Sequence, residues 1–184
     1  MTETEQERVS WPPAPIRTER LVLRAPETRD RAAFIDLFSS PEVGTYLGGA
    51  RSREACERTV PETPERRPGL FVIERDGTMI GTLELNRRPP ELRSDTGPKT
   101  EEDELGYLLL PEAWGHGYAA EACAAALAWY AVTRPGASVV LHTQTANARS
   151  MRLASKLGFT EVQRYEAWGA PQWMGRMSPV APPA

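Results

Sequence analysis

The sequence predicts an α/β (α+β) domain, with a mixed central sheet of about seven strands and helices on both faces. Three observations carry this. Strand-length apolar runs and helix-spaced segments follow one another in the order β-α-α-β-β-β-α-β-α-β-β, and such a mixture packs helices against both sides of a sheet. Asp76-Gly77 separates two apolar runs, a strong hairpin signal. The run Glu104 to Leu110, apolar enough for a buried central strand, leads through a glycine-bearing loop into an alanine-rich helical segment.

Each element has its own justification. Residues 1–17 read as an irregular arm, because Trp11-Pro-Pro-Ala-Pro15 removes backbone donors and breaks periodicity. Arg20 to Arg24 is a short first strand. Arg29 to Leu37 has Ala33, Phe34, Leu37 and Phe38 at helical spacing and stops near Ser40-Pro41, since a residue before proline avoids helical geometry. Arg51 to Val60 is a second helix, closed by Pro61. Leu70 to Glu74 and Met79 to Leu85 are the hairpin strands. Residues 86–103, rich in proline and charge, form a long loop of the kind that is often functional. Gly117 to Ala131 is helix, with eight alanines that let it lie close on a sheet. Ser138 to His142 is a strand. Asn147 to Leu157 is a helix stopped by Gly158. Phe159 to Trp168 and Trp173 to Met177 close the domain, set at 18–178, before a proline-rich tail at 179–184.

Composition narrows the function. The net charge of −3 gives no electrostatic case for nucleic acid or an anionic membrane. No apolar run is long enough to cross a bilayer, and the acidic start MTETEQERVS lacks the features of a signal peptide. Two distant cysteines, Cys56 and Cys123, make no disulfide framework, so the cytoplasm is the expected location. No metal site is expected: on one helix, His116 and Cys123 would stand roughly 10 Å apart along its axis. Cys123 reads as a small core residue.

The stretch Pro111 to Ala122, PEAWGHGYAAEA, places two glycines at the mouth of a helix, where exposed N–H groups and the helix dipole favour an anion. Gly115 to Ala120 also fits a GxGxxA dinucleotide pattern. Four residues separate its glycines from the strand, however, and no acid occurs between Glu121 and Glu161 to hold a ribose. No glycine, lysine and hydroxyl residue follow in the order of a nucleotide-triphosphate loop.

In this register the chain resembles the GNAT superfamily of acyl-CoA-dependent N-acyltransferases. Their signature is Gln/Arg-x-x-Gly-x-Gly/Ala after the fourth strand, and Trp114-Gly-His-Gly-Tyr-Ala119 matches it apart from Trp114. Tyr118-Ala-Ala-Glu-Ala122 resembles the branch that includes the Rim-type N-terminal acetyltransferases of ribosomal proteins. Thr18 to Arg24, Asn147-Ala-Arg-Ser150 and Lys156-Leu-Gly-Phe159 agree in order and spacing. The resemblance implies a mostly antiparallel sheet splayed between its fourth and fifth strands, and bound acetyl-CoA as cosubstrate. It implies a pyrophosphate on the N–H groups of Gly115, His116, Gly117, Tyr118, Ala119 and Ala120. The pantetheine would run beside Tyr107, Leu108 and Leu109, with Asn147 and Ser150 in contact.

Acetyl transfer to an amine needs deprotonation, oxyanion stabilisation, thiolate protonation and alignment. The resemblance implies the Leu109 N–H as oxyanion donor. Glu104 is the first candidate base, directly or through water, and Glu84 the second. Ser150 is the candidate proton donor to the thiolate, because Ala154 stands in the region where many relatives carry a tyrosine. Asn147 is equally a favoured helix cap. The reading is an N-acetyltransferase acting by direct transfer in a ternary complex. A non-catalytic acyl-CoA-binding or sensor module is the alternative. The amine acceptor, a protein N-terminus or a small molecule, stays open, as does a homodimer.

Overall fold

The computed structural model describes residues 11–87, 95–98 and 100–178. Most of the arm, the tail and the central part of the 86–103 loop lie outside the described residues. The sheet has eight strands in the order β1-β2-β3-β4-β5-β6-β8-β7: β1 (Ile16–Arg17), β2 (Val22–Arg24), β3 (Leu70–Arg75), β4 (Thr78–Asn86), β5 (Asp103–Leu109), β6 (Val139–Gln144), β7 (Thr160–Ala167) and β8 (Ala170–Met177). The additional strand is β1, which pairs Ile16 with Leu23 and Arg17 with Val22 inside the segment read as an arm. Trp11 is also tied down, edge-on to Phe71 at 5.1 Å and to Trp129 at 6.5 Å.

Local signals place the elements. A 3₁₀ turn, Thr28–Asp30, precedes α1 (Arg31–Ser39). Ser40 is extended at the end of α1 and caps the short α2 (Pro41–Gly44), its Oγ accepting from Val43 N–H. Ser52 caps α3 (Arg53–Thr59) in the same way through Ala55 N–H. Asp76 and Gly77 both have positive φ, 48° and 79°, as a two-residue hairpin between β3 and β4 demands. A second 3₁₀ turn, Pro111–Ala113, leads towards α4 (Tyr118–Thr133), and α5 (Ala148–Leu157) follows β6.

Strand alternation sorts the core into two layers. Leu23, Phe71, Ile73, Leu83, Leu105, Leu109 and Leu141 pack with Ala122, Cys123, Ala126 and Leu127 of α4 and with Leu153 and Ala154 of α5. On the other face Val72 and Leu110, with partly buried Leu108, pack against Phe34, Ile35 and Leu37 of α1 and Cys56 of α3. Both cysteines are buried in these layers, and burial pushes the Cys123 thiol far up. Every strand pair is antiparallel except β5–β6. Those two strands pair only through Asp103↔Val139 and Glu104↔Val140, then diverge. This is the splay, in β5 and β6 once β1 is counted.

Candidate active site

The splay determines which backbone groups of β5 are presented. Leu110 N–H donates to Ile80 C=O at 2.9 Å, in register with the Gly81↔Leu109 pair. In an antiparallel ladder hydrogen-bonded and non-bonded pairs alternate. Leu108 and Gly106 therefore face β4, while the N–H groups of Tyr107 and Leu109 point towards β6. Because β6 has already diverged, these two groups line the gap. The Leu109 carbonyl, on the same side, accepts from Trp114 Nε1 at 2.8 Å.

The glycine loop lies at the open end of this gap. Gly115 and Gly117 have φ of 79° and 80°, and Gly117 opens α4 with no side chain capping the first turn. A first turn without a cap leaves backbone N–H groups directed out of the helix end. Gly115, His116 and Gly117 are exposed, Ala119 and Ala120 are half-buried, and Tyr118 turns inward. The only acid in the first turn of α4 is Glu121, and it is already engaged: it accepts from Thr18 Oγ1 at 2.6 Å, Arg20 N–H at 2.9 Å and Arg20 Nε at 2.7 Å. Partial burial works against its charge, but these bonds outweigh that and hold the carboxyl below its ordinary range. Arg20 also donates to His116 C=O at 3.0 Å and stands over the Tyr118 ring. The segment after β1 thereby braces the loop and offsets the Glu121 charge beside it. Trp114, the departure from the signature, holds the Leu109 carbonyl on one side and carries the Arg149 guanidinium 4.8 Å from its ring centre.

On the α4–α5 side of the gap, Tyr107 OH donates to Ser150 Oγ at 2.9 Å. Asn147 caps α5, its Oδ1 accepting from Ser150 N–H at 3.2 Å. Burial pushes the Tyr107 phenol up to about 12, against a smaller opposing effect of its bond to Ser150. Leu109 and Leu108 point to opposite faces, into the α4 layer and the α1 layer respectively.

The opposite face carries the acids. Alternation puts Glu104 and Gly106 with Leu108, and Glu84, paired with Gly106, beside them. Glu84 is engaged by Arg67 in an ion pair at the surface. Val139 and Leu141 face the α4 layer, so His142 emerges on the Glu104 face, two residues beyond the last β5–β6 pair. His142 Nδ1 lies 2.8 Å from Tyr165 OH of β7. Sequence reasoning passed over both residues; the signal was the register of β6, in which Leu141 and His142 must face opposite ways. Gln144 Nε2, at the end of β6, donates to Tyr46 C=O at 3.2 Å, bringing the segment between α2 and α3 to the open side of the gap. Among the described residues no group of three or more His, Cys, Asp or Glu could hold a metal ion, and no helix is long and apolar enough to cross a membrane.

The separating strand pair β5–β6 and the uncapped, glycine-opened start of α4 lie next to each other in the sheet order and chain. Comparison with known proteins gives the class. Residues 20–160 match the acetyltransferase (GNAT) domain model, and the chain belongs to the GNAT acetyltransferase family. It is 28% identical over 161 residues to the uncharacterized protein YkkB of Bacillus subtilis (strain 168), covering 84% of this chain and 90% of that one. The fold is similar to that of a GNAT-family acetyltransferase from Bacillus anthracis, with a TM-score of 0.73, 20% identity, and 90% and 98% of the two chains covered. It is also similar to RimL, the ribosomal L7/L12 alpha-N-protein acetyltransferase, in complex with coenzyme A: TM-score 0.65, 17% identity, 90% and 98% covered.

Proposed function

We propose that the protein is an N-acetyltransferase that moves the acetyl group of acetyl-CoA directly to an amine while both are bound. The observation that carries this is the gap between β5 and β6, lined by the Tyr107 and Leu109 N–H groups, beside the uncapped start of α4. The pyrophosphate sits on the N–H groups from Gly115 to Ala120, where the helix dipole adds to the attraction and Arg20 neutralises Glu121. Pantetheine runs along β5, its amides pairing with the exposed edge as a strand would. RimL, similar in fold, is seen in complex with coenzyme A, which supports the choice of cosubstrate.

Acetyl donor and amine acceptor then meet from opposite faces of the sheet. The splay-facing row of β5, Leu109 in the first instance, receives the oxyanion of the tetrahedral intermediate. Glu104, on the acceptor face, takes the amine proton directly or through one water. Glu84 is the second candidate, its carboxylate held by Arg67. Ser150 hydrogen-bonds the departing sulfur. The acceptor site is framed by the Tyr46 segment, His142 and Tyr165. An acceptor N-terminus, as in RimL, and a small amine both suit a site open to this face. We place the reaction in the cytoplasm, a reducing compartment in which free cysteines such as Cys56 and Cys123 persist.

The test is thiol release from acetyl-CoA across a panel of peptide N-termini and small amines, run with Glu104→Gln and Glu84→Gln. The reading predicts turnover on at least one amine and a loss of about 10²-fold or more in Glu104→Gln, the usual scale of general-base catalysis. Tight coenzyme A binding without turnover on any amine would instead establish the sensor alternative.

A further inference from the structure

Ser150 Oγ has a single hydrogen and two lone pairs, so whether it can serve a departing thiolate depends on where that hydrogen points. We propose that Tyr107 is a positioning residue for the leaving group: by donating its own hydroxyl hydrogen to Ser150 Oγ, it directs the Ser150 hydrogen at the thioester sulfur. The inference rests on the reading of Ser150 as the group that meets the sulfur, and adds a second residue to it.

The geometry over-determines the pair. Tyr107 lies on the gap-lining row of β5 with its ring against the α4 core layer, and its hydroxyl reaches across to α5 at 2.9 Å. Ser150 is fixed from behind by the Asn147 cap on its own N–H. With one lone pair occupied by the phenol, the hydroxyl hydrogen must leave in another direction, and the open gap lies beside it. Burial raises the Tyr107 phenol to about 12, so at neutral pH it keeps the hydrogen that it donates to Ser150 Oγ. A hydroxyl that accepts one hydrogen bond is polarised into a better donor of the next. Ala154, fully buried one turn further along α5, supplies no hydroxyl in its place.

The chemistry balances without proton loss from Tyr107. When the tetrahedral intermediate collapses, the C–S bond breaks and its electron pair passes to sulfur, which Ser150 hydrogen-bonds as the charge grows. The proton that the amine nitrogen loses in becoming an amide passes to Glu104 and on to solvent, and the thiolate takes one from solvent in becoming free thiol. Tyr107 and Ser150 finish as they began.

The test is a double-mutant cycle on single-turnover acetyl transfer with Tyr107→Phe, Ser150→Ala and the double variant, with coenzyme A affinity measured for each. The expected result is a fall of about five- to tenfold in Tyr107→Phe, the range of one hydrogen bond, and a larger fall in Ser150→Ala. The double variant should match Ser150→Ala within about twofold, because Tyr107 acts only through Ser150. Coenzyme A affinity should stay within threefold, which separates aim from packing. A double variant as slow as the product of the two single effects overturns the proposal, as does full activity in Tyr107→Phe beside a slow Ser150→Ala. Full activity in Ser150→Ala would instead remove the reading of Ser150 itself. Should Tyr107→Phe fold poorly, Ser150→Thr decides: it should retain its transfer rate within about threefold, because it keeps the hydroxyl that Tyr107 aims, and a rate as low as that of Ser150→Ala overturns the proposal.

Discussion

Gly117→Ala is the perturbation that bears most directly on the proposed phosphate seat. Gly117 has φ of 80° and opens α4. A Cβ added there meets only Arg20 Nη2, at 3.5 Å, an ordinary contact. Sterics against neighbours therefore contribute little, and the cost is conformational. A non-glycine residue held in the left-handed region costs about 1–2 kcal/mol. For a chain of this size each kcal/mol lowers Tm by about 2–4 °C, so a fall of about 2–8 °C is expected. Relief of the strain rotates the peptide and turns its N–H away from the seat. Losing one hydrogen bond to a charged group is worth about 1.5–3 kcal/mol, or about 10- to 150-fold at about 1.4 kcal/mol per decade. The assay compares kcat/KM for acetyl-CoA and for S-acetylpantetheine, which lacks the diphosphate. The variant should lose about 10- to 150-fold on the first and less than about threefold on the second. Equal losses on both donors, or none on acetyl-CoA, would refute the assignment of the seat.

Three further outcomes follow from the packing and charges. Asp30 is buried and holds Arg24, also buried, through bonds of 2.7 and 2.8 Å. Asp30→Ala should cost about 3 kcal/mol, the low end for stranding a buried charge because Glu74 stays as a partner, read as the urea midpoint at constant m. Trp11→Ala should cost about 2 kcal/mol, below the roughly 3–5 of a fully buried tryptophan, and lower Tm with kcat unchanged. Glu102 is held below its ordinary range chiefly by Arg176, and Glu74 by Arg24 and Arg29 against the opposing effect of burial. A carboxyl depressed in the folded state stabilises above its unfolded value of about 4.3 and loses that contribution as pH falls through the folded value. Urea midpoints should therefore be level from pH 7 to 5 and drop below about pH 4.3, less steeply in Glu102→Gln.

Much of the fold was legible because its signals are local. Asp76-Gly77, Ser40-Pro41, the Asn147 cap and the Gly158 stop each act within a turn of chain, and each marks an element end where it was read. The glycine loop was legible as a turn of positive φ into an uncapped helix start, because both features are written in the same few residues. What escaped depends on contacts distant in sequence. Ile16–Arg17 has too few residues for any periodicity, and Trp11 sits among prolines that read as loop until Phe71 and Trp129 are placed around it. Face assignment requires register, so the meeting of His142 with Tyr165, and the separation of Glu104 from Tyr107, could not be read from composition. Arg67, which holds the second candidate base Glu84, lies 17 residues from it, beyond the reach of any local pattern.

The most direct test of the central claim is a rapid-quench experiment with acetyl-CoA labelled in the acetyl group, the protein and an accepted amine, followed by mass spectrometry of every component. The account predicts that label passes to the acceptor nitrogen with one coenzyme A thiol released per product. No labelled protein should appear at any time. Label accumulating on the protein before product would contradict direct transfer, and coenzyme A bound without labelled product on any amine would contradict catalysis.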